Sequence, residues 1–501
     1  MRTLFNDGWE FTKQPLHTTY EAIMEKQKEF EPVGLPHDWL IYQTGNLYED
    51  STGWYRKRFI WSKQEKELVF LRFDGIYMDS KVYVNGKMVR EWKYGYSAFE
   101  TEITENLVNG ENEILVSADF QAPNSRWYSG AGIYRNVWIC RTPVEHFVAD
   151  GIYFSAKKET TEEWSISIHT EVEGQDLYVE YALREKGSEI WEPLTGNREP
   201  LETGEYFKSS INNPKIWDVE HPFCYELAVT LKKDQEILQR EVQTVGFRTL
   251  DFSPETGFSL NGRKLKLNGV CEHHDLGCLG AAYHSQAMRR KLEILKKMGV
   301  NAIRTAHNMP AQDLMELTDE MGILVVSEAF DCWESPKNPY DYARFFPQWY
   351  QKDVESWIRR DRNHPSLIMW SIGNEIYDTH VSSTKGKEWM EKLIAEVRRY
   401  DSLKNAAVTL GSNYMPWENT QKCADVIKLI GYNYGENYYE EHHEKHPDWM
   451  IYGSETGSIV QSRGIYHFPY QQSVLADEGV GSRVIGCSQI VKISGKDRRG
   501  R

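Results

Sequence analysis

Short runs of alternating apolar and polar residues cover the first half of the chain. Residues 54–59 and 81–84 alternate with a period of two, and turn residues separate such runs. A period of two places successive side chains on opposite faces of a β-strand. Asn85-Gly86 follows the second run and predicts a hairpin, because a type I′ turn needs positive φ at both central positions. The pattern therefore predicts an all-β domain over residues 1–143.

The same alternation continues over residues 144–250, where runs at 164–169, 177–181 and 225–231 have the period of half-buried strands. Several short strands with turn signals between them are typical of a β-sandwich. We therefore expect a second sandwich in this part of the chain.

The period changes after about residue 251, where strand-like runs begin to alternate with helical ones. One helical run begins near Met288 and has Gly299 as its stop signal; the next is expected to begin at Pro310 and to end at Gly322. The strand candidates are residues 265–270, 302–305, 323–327, 367–371, 407–410, 426–431 and 450–453. These are seven strands, whereas a closed (β/α)8 barrel has eight. The pattern predicts a TIM barrel over 251–475 that lacks its last βα unit.

The composition of the last thirty residues differs from that of the rest. Residues 471–501 contain no Phe, Trp or Tyr, and the last eleven residues carry five basic side chains against one acid, on a chain with a net charge of -15. One interpretation is a solvated basic tail over 476–501. The interpretation we favour is that the reading frame leaves the native sequence near residues 477–481.

The acidic balance limits the classes of partner. Nucleic acid and anionic membrane surfaces attract cationic proteins, so the charge argues against both and favours a small or neutral substrate. No window approaches 18 apolar residues, and the first residues lack the apolar core of a signal peptide. Seven scattered cysteines without Cys-x-x-Cys spacing indicate reduced thiols. We therefore expect a soluble, cytoplasmic protein.

Two glutamates stand at the ends of strand-like runs. Glu375 closes the run that begins at residue 367, and Glu455 closes the run that begins at residue 450. The carboxyl ends of barrel strands form the active face of a TIM barrel. Cleavage of an acetal needs one carboxyl group to protonate the leaving oxygen and another to attack the anomeric carbon or to activate water. The pair therefore predicts a glycosidase.

Four motifs carry a resemblance to a known family. They begin at Trp127 (WYSGAGIYR), Asn301 (NAIRTAH), Trp370 (WSIGNE) and Tyr452 (YGSET), in that order. Together they resemble glycoside hydrolase family 2 over residues 1 to about 475. The resemblance implies a jelly-roll sugar-binding domain, an immunoglobulin-like sandwich and a TIM barrel. It also implies the double-displacement mechanism that retains the anomeric configuration.

The resemblance implies a role for each glutamate. Glu375 matches the acid/base, which must carry a proton near neutral pH, and Glu455 matches the nucleophile, which must be ionised. Counting strands places Glu375 on the fourth and Glu455 on the seventh, which face each other across the barrel mouth. We expect the two carboxyl groups to lie roughly 5 to 5.5 Å apart, as in retaining enzymes.

Five further residues match family positions around these glutamates. Asn374 is expected to hydrogen-bond the sugar 2-hydroxyl, and Arg304 is expected to hold the nucleophile ionised. His307 is expected to touch sugar hydroxyls. Asp331, after the third strand, and Tyr434, after the sixth, are expected to contact the sugar and the nucleophile respectively.

A metal site is weighed and not favoured. His273, His274 and Asp275 form a histidine-rich turn after the first strand. Metal-using family members carry a Glu-x-His pair after the third strand, where this chain has Asp331-Cys-Trp-Glu, so no metal and no cofactor is expected. Trp127 and its neighbour Tyr128 have two open interpretations: stacking on a sugar or packing against the barrel.

The favoured activity is hydrolysis of terminal β-D-galactosides, because residues 453–464 look most like that branch of the family. β-Glucuronidase is the nearest alternative. A rival from another class is a catalytically inactive carbohydrate-binding fragment, since we find no candidate for the pocket residues of the eighth strand; a scaffold role is a third alternative. The resemblance also admits a homo-oligomer, because family members often assemble as dimers or tetramers.

Overall fold

The computed structural model describes residues 2–26, 29–194 and 205–456. The predictions about residues 476–501, and about any strand after residue 456, concern positions outside these ranges. No helix in the described ranges is long and apolar enough to cross a lipid bilayer.

The first domain is a β-sandwich of a six-stranded and a four-stranded sheet. The larger sheet has the order β3-β2-β4-β9-β6-β7 and the smaller has β1-β10-β5-β8. The predicted hairpin is confirmed, since Asn85 (φ 47°) and Gly86 (φ 84°) join β6 to β7. The strands are β1 Arg2–Leu4, β2 Trp9–Pro15, β3 Glu31–Val33, β4 Ser51–Trp61, β5 Glu67–Phe73, β6 Ser80–Val84, β7 Lys87–Trp92, β8 Phe99–Glu102, β9 Gly110–Phe120 and β10 Val137–Pro143, with helix α1 at Tyr20–Met24.

The second domain is a smaller sandwich with its own apolar core. A three-stranded sheet (β11-β12-β15) faces a four-stranded sheet (β14-β13-β16-β17). Inward side chains such as Trp164, Leu227 and Phe247 form the core between the sheets. The strands are β11 His146–Lys158, β12 Glu163–Glu173, β13 Leu177–Glu185, β14 Glu192–Pro193, β15 Phe207–Asn212, β16 Tyr225–Lys233 and β17 Glu236–Val245.

The third domain contains a parallel sheet that curves into a barrel wall. A short antiparallel sheet of β18 Leu250–Ser253, β19 Gly257–Leu260 and β20 Arg263–Lys264 precedes it. The strands of the parallel sheet follow chain order and are β21 Gly269–Glu272, β22 Ala302–Thr305, β23 Leu324–Glu328, β24 Leu367–Asn374, β25 Ala407–Ser412, β26 Leu429–Asn433 and β27 Met450–Glu455. At the mouth, the Cys271 thiol donates to the Ser454 carbonyl at 3.1 Å, which brings the ends of β21 and β27 together.

Helices cover the outside of this sheet, as the βα alternation predicts. They are α2 Ser285–Lys297, α3 Gln312–Met321, α4 Phe346–Asp361, α5 Tyr377–Val381, α6 Ser383–Tyr400, α7 Glu418–Ile427 and α8 Tyr439–Lys445. Gly322 ends α3 in the left-handed conformation (φ 67°), as predicted. Two sandwiches followed by a parallel barrel sheet confirm the predicted fold class.

Three predicted boundaries are wrong. The first parallel strand begins at Gly269, because the Leu265 amide donates to the Phe258 carbonyl (3.0 Å) and so prolongs the preceding hairpin. The sixth begins at Leu429, because the residues before it belong to α7. Helix α3 begins at Gln312, since Ala311 is still extended.

The first sandwich packs directly on the barrel. A single cluster of buried apolar side chains runs through both domains. Within it, Tyr94 lies 5.4 Å from Phe330 and 4.2 Å from Tyr342, measured between ring centroids. This contact brings residues 124–128 of the first sandwich to the barrel mouth.

Candidate active site

Polar side chains gather where the parallel strands end. Glu328, Asn374, Asn433 and Glu455 are the last residues of β23, β24, β26 and β27, and Glu375 follows Asn374. The carboxyl ends of parallel strands meet at one edge of the sheet, so four strand ends supply one pocket. β24 is the fourth strand and β27 the seventh, as the sequence predicts.

Glu455 is held by two donors of the barrel, one in β22 and one directly after β26. Arg304 Nη1 donates to Oε1 at 2.8 Å, and the Tyr434 hydroxyl donates to Oε2. Burial alone would raise the pKa of Glu455, but the charge of Arg304 and the hydrogen bonds from Tyr434 and Arg304 outweigh it and hold the pKa below its usual value. Burial and the Glu455 charge together raise the pKa of Tyr434, which keeps its proton. Glu455 is therefore an ionised carboxylate, the state that a nucleophile needs.

Arg304 is fixed by a fully buried carboxylate beneath it. Its Nε and Nη2 donate to the two oxygens of Glu328 at 2.9 and 2.8 Å, and Ser371 Oγ donates to Glu328 Oε2 at 2.6 Å. His307 Nδ1 lies 2.7 Å from Glu328 Oε1 and donates to it, because a carboxylate only accepts. Burial lowers the pKa of His307 to about 3, aided by the Arg304 charge. Its Nε2 therefore carries a lone pair 3.5 Å from Glu455 Oε1, where it can accept a hydrogen bond from a sugar hydroxyl.

Glu375 has a different kind of environment. Its Oε1 accepts from Asn433 Nδ2 at 3.2 Å, and its Oε2 accepts from Arg126 Nη1 at 2.9 Å. Arg126 belongs to the first sandwich, so a second domain contributes directly to this carboxylate. The backbone amide of Glu375 donates to the Gly411 carbonyl at 2.8 Å, which fixes the side chain relative to β25. The residue has φ 46°, in the left-handed region that non-glycine residues rarely adopt.

Asp331 and Asn374 connect the two carboxylates. Asn374 Oδ1 accepts from Arg304 Nη2 and from Asn433 Nδ2, both at 2.9 Å, and its Nδ2 donates to Asp331 Oδ1 at 2.8 Å. Asp331 also pairs with Arg126, through Nε at 3.0 Å, and with Lys337 Nζ at 2.8 Å. Burial would raise the pKa of Asp331, but these two cations hold it well below its usual value. The predicted sugar contacts of Asp331 and Asn374 stay predictions; what the structure adds is a continuous polar network around them.

Trp127 and Tyr128, for which the sequence leaves two interpretations open, pack where the first sandwich meets the barrel. The Trp127 indole stacks on His273 at 5.4 Å and donates to the Tyr96 hydroxyl at 3.2 Å, while the Tyr128 hydroxyl donates to Asp38 at 2.5 Å. These contacts favour packing over sugar stacking for both aromatic residues.

The histidine-rich turn is occupied by structural contacts. His274 Nε2 lies 2.9 Å from the Ser129 carbonyl. In the part of the chain that the structure describes, the one cluster with metal-ligand spacing is Asp218, Glu220 and His221, which lies in the second sandwich.

Sequence reasoning missed four residues of the network. Glu328 had a signal, since it stands at the end of a predicted strand, three residues before Asp331, but its role becomes clear from its burial under Arg304. Asn433 also ends a strand. Arg126 and Lys337 lie in loops, and their approach to the barrel mouth follows from domain packing that no local pattern encodes.

The arrangement suits displacement at an acetal carbon. One carboxylate is held ionised by a fixed cation of the barrel, and a second carboxyl group in the same pocket pairs with Arg126 of the first sandwich. An ionised carboxylate can attack an electrophilic carbon, while the second can exchange a proton with the departing oxygen.

Three family models match consecutive parts of the chain. The model described as "Glycosyl hydrolases family 2, sugar binding domain" matches residues 40–143, that described as "Glycosyl hydrolases family 2" matches 147–248, and that described as "Glycosyl hydrolases family 2, TIM barrel domain" matches 254–452.

Relatives of similar sequence carry two kinds of name, and a similar solved structure carries a more general one. A β-galactosidase of Bacteroides ovatus is 34% identical over 93% of this chain and 60% of its own length. A putative β-glucuronidase of Formosa agariphila is 34% identical over 75% of this chain and 38% of its own length. The crystal structure of a β-glycosidase from Bacteroides vulgatus is 32% identical, with a TM-score of 0.82 over 93% of this chain and 60% of that one. The chain thus spans less than two thirds of the length of each.

Proposed function

Because the chain belongs to glycosyl hydrolase family 2, we propose that it is a retaining β-glycosidase with Glu455 as nucleophile and Glu375 as acid/base. The observation that carries the proposal is the Glu455 site. There, Arg304 and Tyr434 together hold a carboxylate ionised at the end of the seventh strand.

In the first step, a Glu455 oxygen attacks the anomeric carbon and forms a glycosyl ester, while the bond from that carbon to the leaving oxygen breaks. Glu375 gives its proton to the leaving oxygen and becomes a carboxylate. Arg126 and Asn433 are placed to stabilise that new charge, because they donate to its two oxygens.

In the second step, Glu375 removes a proton from water, and the water oxygen attacks the same carbon. The ester bond to Glu455 breaks, and the carboxylate returns to Arg304 and Tyr434. Two inversions leave the product with the configuration of the substrate.

We propose a terminal β-D-galactoside as the substrate. The β-galactosidase relative supports this choice, and the β-glucuronidase relative at the same identity is the reason to test the alternative. Charge pairing also favours a neutral sugar. In the described part of the pocket, the cations Arg126, Lys337 and Arg304 are each paired with a carboxylate, so none is left for the carboxylate of a glucuronide.

The test compares turnover of p-nitrophenyl β-galactoside and β-glucuronide by this chain and by its Glu375→Gln variant. We expect turnover of the galactoside, and a fall of about 10²- to 10⁴-fold in the variant, which is what a positioned acid supplies. Faster turnover of the glucuronide would reverse the substrate assignment.

A second readout separates a weak enzyme from an inactive one. A 2-fluoro-galactoside with a reactive leaving group should label Glu455 covalently, which peptide mass spectrometry detects. Galactose binding by a folded chain without turnover or labelling would support the alternative of a carbohydrate-binding fragment.

The cellular setting is a separate proposal. We propose a reducing compartment such as the cytoplasm, supported by six cysteines that form no disulfide within the described ranges. The number of subunits stays a prediction from the resemblance.

A further inference from the structure

An exposed aromatic cluster lies beside the acid/base. Tyr377, Tyr414 and Trp417, here called the aromatic platform, have exposed fractions of 43%, 45% and 51%. The rings of Tyr414 and Trp417 are stacked, with centroids 4.5 Å apart and planes 20° apart. Val381, 78% exposed, extends the apolar surface. Large exposed aromatic groups that lie together mark binding surfaces more often than chance exposure does.

The platform is continuous with the acid/base through two neighbouring strands. Tyr377 is the second residue after Glu375 and begins α5. The Glu375 amide donates to the Gly411 carbonyl of β25, and Tyr414 is the third residue after Gly411. At about 3.3–3.6 Å per residue, both tyrosine backbones lie within about 11 Å of these paired residues.

A buried histidine supports the platform from below. The His380 ring contacts the rings of Tyr414 at 5.1 Å, Trp417 at 6.0 Å and Tyr377 at 6.0 Å. Asn419 Nδ2 donates to the His380 carbonyl at 3.1 Å, which ties α7 to α5. Burial lowers the pKa of His380 to about 4, so the support is uncharged near neutral pH. The platform is therefore a fixed surface whose own groups are uncharged. Lys337 Nζ lies at its edge, 5.8 Å from the centre of the Tyr377 ring, and its charge is paired with Asp331.

The backbone of Tyr414 is strained in the same way as the backbone of two site residues. Tyr414 has φ 53°, Glu375 has φ 46° and Tyr434 has φ 56°. They follow the ends of three consecutive strands, β25, β24 and β26. Left-handed non-glycine residues cost free energy and cluster where geometry serves function. Glu375 and Tyr434 belong to the candidate active site, and the ring of Tyr414 is part of the platform.

The polar tips of the platform are available to a ligand. Within the described ranges, the hydroxyls of Tyr377 and Tyr414 and the indole N–H of Trp417 have no hydrogen-bond partner. A ring face together with a free donor matches a sugar, which presents C–H groups on one face and hydroxyls at its edge.

We propose that the aromatic platform binds the sugar rings of the leaving group, so that the substrates are neutral oligosaccharides. Glu375 protonates the leaving oxygen, and the surface adjoining Glu375 is therefore where the leaving group lies. The inference rests on the proposed function and names its substrate class. A neutral surface of aromatic faces and hydroxyl donors selects neutral sugars over charged ones.

The test compares two leaving groups in the full chain. β-Galactosyl fluoride has no ring in its leaving group, whereas a β-galactosyl-terminated tetrasaccharide offers three. We expect Trp417→Ala and Tyr414→Ala each to lower kcat/KM for the tetrasaccharide by about tenfold, mainly through KM, and to leave kcat/KM for the fluoride unchanged. Trp417→Phe, which keeps a ring, should recover part of the loss.

Tyr178→Ala is the matched control, because Tyr178 is 41% exposed on β13 of the second sandwich. Equal tetrasaccharide kinetics in the wild type and both platform variants would overturn the inference. Turnover of neither substrate by the folded wild type would instead contradict the proposed function.

A binding measurement keeps the platform testable in that case. Calorimetry with the tetrasaccharide should show about tenfold weaker binding to Trp417→Ala than to the wild type. Equal affinities would overturn the inference whatever the turnover.

Discussion

Glu455 is held entirely by the barrel, whereas Glu375 depends in part on the first sandwich. The donors to Glu455 come from β22 and from the residue after β26. One of the two side chains that donate to Glu375 is Arg126, which crosses the domain contact.

The roles that we propose for the two carboxyl groups account for the difference. A nucleophile needs one constant charge state, and barrel strands can fix its donors rigidly. An acid/base changes its protonation in every cycle and must face a leaving group of variable shape. Glu375 lies at the border of the barrel, where Arg126 of the first sandwich contacts it and the aromatic platform adjoins it.

Removal of one carboxyl group at a time should affect catalysis more than any other change. Glu455→Ala should lower kcat by more than about 10⁴, above what acid/base catalysis alone supplies. With azide and an activated aryl galactoside, Glu455→Ala should yield the α-galactosyl azide by one inversion. Glu375→Ala should yield the β-azide, because azide then attacks the ester on Glu455. NMR of the products checks both, and a β-azide from Glu455→Ala would exclude Glu455 as nucleophile.

The ionisation of Glu455 should depend on the shape of the cation beside it, the Arg304 guanidinium. Arg304→Lys keeps a charge but loses the fork that bonds Glu328, Asn374 and Glu455 together. A lost charge-assisted hydrogen bond costs about 1.5–3 kcal/mol, so kcat/KM should fall by roughly 10²-fold. The pKa of Glu455 should rise, and since activity is lost as Glu455 becomes protonated, the acidic limb of kcat/KM should move to higher pH. An unchanged acidic limb would show that Arg304 does not control this ionisation.

Catalysis that depends on Glu375 should respond to a substitution in the first sandwich. Arg126→Leu should lower kcat/KM for galactosides with poor leaving groups by up to about 10²-fold, the cost of a misplaced group. The acidic limb set by Glu455 should stay in place.

Arg58→Leu is the control for Arg126→Leu, because Arg58 of the same sandwich pairs with Glu113 at the same 2.9 Å distance. Equal rates in both variants would mean that the contact between Arg126 and Glu375 has no catalytic effect.

A mild change in the surroundings of Glu455 is the loss of the Tyr434 hydroxyl. Tyr434→Phe removes one hydroxyl and leaves Arg304 in place. The pKa of Glu455 should rise, so the acidic limb of kcat/KM should again move to higher pH, with a rate loss of about tenfold at neutral pH. A pH titration of kcat/KM measures both. Arg304→Lys should move the limb further than Tyr434→Phe; the reverse order would assign the main control to the tyrosine.

The sequence predicts the parts of the site that repeat along the chain. Strand ends in a parallel sheet converge, so Glu375 on the fourth strand and Glu455 on the seventh could be paired from the order of the runs alone. The first and last residues of the strands are harder to predict than the order of the strands. An apolar pattern is the same whether a residue such as Leu265 lies in a barrel strand or under the barrel.

Loop residues were beyond prediction for a different reason. Arg126 is 249 positions from Glu375 along the chain, and packing between the two domains, such as that of Tyr94 on Phe330 and Tyr342, brings them together. The aromatic platform could not be predicted from a local pattern either, because Tyr377 and Tyr414 become neighbours through the pairing of β24 with β25.

The buried apolar cluster that runs through the first sandwich and the barrel has a consequence for unfolding. Two domains that share one core lose their packing together, and so should melt as one cooperative unit. The second sandwich has a core of its own, and it shares with the barrel a smaller cluster that contains Trp217 and Cys224. Heat or a protease should therefore act first on the second sandwich, in the middle of the chain. The first sandwich and the barrel, which form the pocket, should unfold together.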